Sequence, residues 1–149
     1  MRTSLDAEKG AALSEAGGEA TAHVLLAARI AARDAGRAAV VLSRAGAAGE
    51  GAAAFLAALA LLRLGTRETI GLLRPDAPAP SRDESLLVAA LAGLQRGAPW
   101  VAQRALAEWL PPDLAVRAIA LLAKAAAALA RAGLRVEPFA VPRPRRGLA

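Results

Sequence analysis

No cysteine occurs in the 149 residues, so neither a disulfide nor a thiolate metal site is available. A single histidine, His23, leaves any imidazole-dependent triad with one candidate base and no thiol nucleophile. Aromatic residues are reduced to Phe55, Phe139, Trp100 and Trp109, so a core must come from close-packed aliphatic side chains. Val, Ile and Thr together number only 15, which disfavours a sheet. Apolar runs are short: the strongest, 51–62, stops after 12 residues at Arg63. A bilayer span needs roughly 18 or more, so no membrane segment is expected. The opening ten residues lack an apolar run and do not read as a secretory signal, which leaves the cytoplasm as the default compartment.

What the chain does contain is 43 Ala and 24 Leu, the two residues that head the helix-propensity ranking. An all-α protein is therefore expected. The net charge of +6 is unevenly placed: residues 131–149 carry five arginines against Glu137, a local +4, and leave the rest nearly neutral. The high basicity is thus a property of the tail and gives the body no nucleic-acid footprint.

Four glycines punctuate the chain after helical runs that end near an arginine: Gly36, Gly65, Gly97 and Gly133. Arginine complements the helix dipole there, and glycine accepts the left-handed conformation that follows a helix. The intervals of 29, 32 and 36 residues match the period of about 34 that two-helix repeats of the tetratricopeptide kind show. The pattern predicts about seven helices in antiparallel hairpins, over 20–35, 37–44, 52–64, 67–74, 83–96, 99–110 and 113–132. Pro75, Pro78 and Pro80 make a stiff linker, and Ser81 with Glu84 fits a capping box. Three segments are expected: a polar stretch 1–18, a helical-hairpin domain 19–134, and a basic, Pro-rich tail 135–149 that is extended or disordered.

Neither a catalytic site, a metal site nor a cofactor site emerges. The 13 acidic residues are scattered, and Asp83–Glu84, the one adjacent pair, is explained by capping. Gly46–Gly51 is glycine-rich but lacks both the preceding strand and the Lys-Ser/Thr of a phosphate loop. The tail arginines Arg143, Arg145 and Arg146 are not interleaved with aromatics, so nucleic acid is a poor candidate partner. Trp100 falls on the polar side of its helix with Gln103 and Arg104. It either anchors a partner or folds back on the neighbouring hairpin.

Turns at Leu-Arg-Leu-Gly65 and Leu-Gln-Arg-Gly97, Ala102 at the small-residue position, and Pro111-Pro112 ending that unit together resemble the tetratricopeptide-like chaperones of type III secretion, closest to the needle-subunit type. The likeness runs from Ala20 to Arg131; Ile70 departs from it, standing where the family has a small residue. It implies a non-enzymatic chaperone whose inner helices hold an amphipathic helix of the needle subunit, alongside a helical co-chaperone.

Helix 52–64 is apolar all round, with Phe55, Leu56, Leu59 and Leu62 on one side and Leu61 and Leu64 on the other. Such a helix must be buried on more than one side. The expectation is a groove lined by Leu56, Leu59, Leu87 and Leu91, with Trp100 at its rim, covered by an amphipathic helix from another protein or a second copy. The alternative is a small nucleic-acid-associated regulator that uses the Arg-rich tail and dimerises through the helical body.

Overall fold

The computed structural model of the chain describes residues 18–47, 49–66 and 70–139. Among them are six helices and no strand: α1 (Glu19–Ala31), α2 (Ala35–Arg44), α3 (Glu50–Gly65), α4 (Arg82–Gln95), α5 (Pro99–Ala107) and α6 (Pro112–Arg131). None of these helices is long and apolar enough to cross a membrane.

Local chemistry sets most boundaries. The Asp34 carboxylate accepts from the Arg37 amide and starts α2. Ser81 and Glu84 form the reciprocal capping box that starts α4. Proline occupies the first turn of both α5 and α6, where its missing N–H costs nothing. Gly97 (φ 75°) and Gly133 (φ 79°) take the left-handed conformation after α4 and α6.

Two of the four punctuating glycines behave otherwise. Gly36 lies inside the first turn of α2, because Asp34 caps that helix two residues earlier. Gly65 is the last residue of α3, and a Cβ there would lie 2.7 Å from Leu110 and 3.1 Å from Leu114. Its role is close helix contact at the foot of α6.

The helix expected over 67–74 does not form across 70–74. Asp83 and Glu84, at the start of α4, take the amides that such a helix would use. Gly71 N donates to Asp83 Oδ2 at 2.8 Å and Leu73 N to Glu84 Oε2 at 2.9 Å, while Ser81 Oγ donates to the Gly71 carbonyl. Carboxylates acting as cap and tether outcompete a short helix that contains Gly71 and stops at Pro75.

The helices pack as three pairs. α1 lies on α2, α4 on α5, and α3 on α6 in the most extensive contact of all. The α3–α6 pair is central: α3 also meets α1 and α2, α6 also meets α4 and α5, and an α1–α4 contact closes the ring. Consecutive hairpins are thus retained at α1–α2 and α4–α5. At α3, by contrast, the chain pairs with a helix far along the sequence, as an open stack of nearest neighbours would not. Gly51 at the start of α3 abuts Ala128 near the end of α6, whereas Gly65 at its end abuts Leu114 near the start, so the two run antiparallel. Phe55, Leu59, Leu62, Leu87, Leu91, Leu106 and Leu122 occupy one continuous core, filled in by alanines.

Beyond α6 the chain is extended, as the sequence implies, but docked as far as Phe139. Gln95 Nε2 donates to the carbonyls of Ala126 and Leu134, and Gln95 Oε1 accepts from Val136 N. Thr21 Oγ1 donates to the Glu137 carbonyl and accepts from its amide. Val136 is buried and Phe139 packs on Ala22 and Leu25, so the body continues past 134. Residues 1–17 and 140–149, with Arg143, Arg145 and Arg146, lie outside the described residues.

Candidate interaction surface

The most concentrated polar chemistry is a buried ion pair. Arg29 of α1 and Glu84 of α4 are both fully enclosed. The guanidinium donates twice to the carboxylate, Nε to Oε2 at 2.8 Å and Nη2 to Oε1 at 2.9 Å. Its remaining donors go to the carbonyls of Ala77 (2.8 Å) and Ala79 (3.1 Å) in the proline-rich linker. Glu84 also accepts from the amides of Leu73 and Ser81. Such a set is a tie between α1, α4 and the 71–81 connection: four of the five guanidinium N–H groups and both carboxylate oxygens are engaged within the chain, and both side chains are enclosed.

Burial pushes the Glu84 carboxyl up. The hydrogen bonds from Arg29, Ser81 and Leu73 and the guanidinium charge outweigh it and hold the group below its ordinary value of 4.5. A carboxylate depressed in the folded state stabilises the fold above its unfolded value and loses that contribution as acid protonates it. Stability should therefore be full at neutral pH and fall below about pH 4.5. Denaturant titrations across that range check this, with Glu84→Gln starting lower and falling less steeply.

A cleft of about 630 Å³ opens beside this tie, between the end of α3 and the α5–α6 junction. Four of its polar residues are paired with one another: Arg82 Nη2 donates to Glu108 at 2.7 Å, and Trp109 Nε1 donates to Asp83 at 3.2 Å. Among the described residues no group of three acidic or histidine side chains could hold a metal. His23 is half-buried in α1, and among the described residues its Nδ1 has no hydrogen-bond partner and no base-and-orienter relay is assembled there.

The residues expected to line a groove fall in different places. Leu59, Leu87 and Leu91 are buried in the intramolecular core; Leu56 is half-buried against it. The helix that covers this face of α3 is α6 of the same chain, seconded by α1 and α2. α6 is amphipathic, with Ala115, Ala118, Leu122, Ala125 and Leu129 inward, so it supplies the cover assigned above to a partner. Trp100 does not fold back: it is 63% exposed on the outer side of α5.

What remains open is the opposite side of α3. Ala53, Ala57, Ala60 and Leu64 recur at helical spacing, all exposed, and Leu64 is 86% accessible. Leu61 flanks them, half-buried. On α6, Leu114 and Ala128 meet the two ends of α3, and Leu121 lies midway between them at the same spacing of seven. Arg117, Lys124 and Arg131 each follow one of these by three residues, one row further out, and all three are exposed. The outer side of the α3–α6 pair is therefore an apolar strip with a cationic edge.

Comparison with protein-family models, curated proteins and solved structures gives no match for this chain.

Proposed function

We propose that this chain is a non-enzymatic binding protein, a chaperone or adaptor that holds an amphipathic helix of another protein. The observation that carries the reading is the outer face of α3: Ala53, Ala57, Ala60 and Leu64 stay exposed after the bundle has closed, with no charge among them. A lone exposed leucine is ordinary, whereas an unbroken apolar helical stripe is what an incoming helix recognises. The binding surface is then the far side of α3 rather than the groove lined by Leu59, Leu87 and Leu91. Trp100 is a second exposed anchor, on α5.

The narrower form of the proposal is a needle-subunit chaperone of type III secretion. The α4–α5 hairpin turning at Gly97, with Ala102 buried against Ala90, supports it. So does Pro111-Pro112 closing the unit. Masking a polymerising helix until export would be the task of the α3 face.

Partner binding is tested with Leu64→Asp, measured by titration calorimetry against the protein that co-purifies from the native host. Losing a central anchor costs ~2 kcal/mol of binding or more, roughly thirty-fold in affinity. The helical signal and Tm should stay near wild type, since Leu64 adds little to the core. Unchanged affinity in both Leu64→Asp and Ala57→Glu would remove α3 from the account.

A further inference from the structure

Resting on that binding role, we infer that the partner helix is acidic along the edge of its apolar ridge. Four cations border the α3 strip: Arg63 on α3 itself, and Arg117, Lys124 and Arg131 along α6. Among the described residues none of the four makes an ion pair, and neither do Arg33, Arg37, Arg44, Arg104 and Arg135 elsewhere, so what sets the four apart is their place along the strip. Among the described residues, Glu50 and Asp113 sit in the first turns of α3 and α6, where the helix dipole already favours negative charge. They leave the middle of the strip uncompensated.

Spacing makes this more than a basic patch. Arg117, Lys124 and Arg131 are seven residues apart, the interval at which a helix packed alongside would present its own flanking positions. A helix lying on Ala57, Leu61 and Leu64 would bring its edge against this row. Glutamates or aspartates at heptad spacing would meet it charge for charge, and a basic edge would be repelled. The alanines of α3 permit the close backbone approach that brings long side chains on both helices into reach. A lipid surface is the poorer fit, because the exposed strip offers mainly small alanines rather than large side chains to insert.

The test uses the full chain and two synthetic helical peptides with one apolar ridge, edged in one with glutamate and in the other with lysine. Fluorescence anisotropy should show binding of the glutamate-edged peptide that weakens with added salt. The double variant Arg117→Glu/Lys124→Glu, checked for unchanged helical signal, should bind it roughly tenfold less tightly or worse and bind the lysine-edged peptide instead. If both peptides bind equally and Leu64→Asp abolishes both, the binding role stands and the acidic partner is overturned. If neither binds, both are overturned. Binding to phosphatidylcholine vesicles containing phosphatidylserine, with no binding of the glutamate-edged peptide, would overturn the inference in favour of a membrane surface.

Discussion

Arg29→Met is expected to cost ~3–5 kcal/mol of folding stability, because it leaves the Glu84 carboxylate buried without a counter-charge. Methionine keeps the aliphatic stem but ends short of the fully buried guanidinium, so a small void adds to the cost. The rest of the penalty is the desolvated charge plus the two linker carbonyls, at Ala77 and Ala79, that lose their donor. A pH signature separates this from ordinary destabilisation. In the wild-type chain Glu84 is held below its ordinary value, and stability falls in acid. Without Arg29 the guanidinium's hydrogen bonds and charge are lost while burial and the amide bonds from Leu73 and Ser81 remain, so the acid-induced loss of stability should be smaller in the variant than in the wild type. Replacing both partners with apolar residues should recover only part of the loss. Removing Glu84 also strips the amides of Leu73 and Ser81 of their acceptor. Equilibrium denaturation of the two single variants and the double across pH measures all three quantities.

The second large effect is expected at Gly51. A Cβ there would overlap the Ala128 side chain across the α3–α6 contact. Gly51→Val should cost about 3 kcal/mol, the upper end for overpacking, even though glycine is itself a poor helix former. Gly51→Ala isolates the cause: its cost should be relieved when Ala128 is replaced by Gly, since the second change removes the atom that clashes. Additive costs in that double-mutant cycle would mean that the two helices do not meet at this point.

Much of the fold was legible in composition and punctuation. Alanine and leucine dictate helix, and Ser81, Pro99, Pro112, Gly97 and Gly133 mark ends that the structure keeps. Glycine spacing was less informative. A glycine retained for positive φ and one retained for close contact look alike in sequence, so Gly65 read as a turn although its service is to admit Leu110 and Leu114. The unformed helix at 70–74 is a related case. Local propensity was overridden by carboxylates 11 and 12 residues downstream, which the chain brings back through a linker of three prolines. Arg29 was hidden for the same reason: its partner is 55 positions away, and Glu84 was already explained as a cap.

For the candidate surface, the sequence held the right question and an incomplete answer. That α3 is apolar all round requires cover on more than one side. Hydrophobic pattern alone cannot say whether an amphipathic helix elsewhere in the chain or one from a partner provides it. Here 112–131 provides it for the side with Leu59, and the side with Leu64 is left. The row Arg117, Lys124, Arg131 became meaningful only once α6 was placed next to α3.

The central claim is that one side of α3 is sealed by its own chain and the other is free, and the absence of cysteine makes it directly measurable. Ala57 is exposed and Ala58 is fully buried, one residue apart on the same helix. Single-cysteine variants at these two positions differ in nothing but the direction they face. Thiol labelling of the folded chain should be fast at Ala57→Cys and near the rate in denaturant. At Ala58→Cys it should wait on unfolding and be slower by several orders of magnitude, in line with the stability of a small domain. Equal rates at the two positions would contradict the account, because α3 would then be either open on both sides or covered on both.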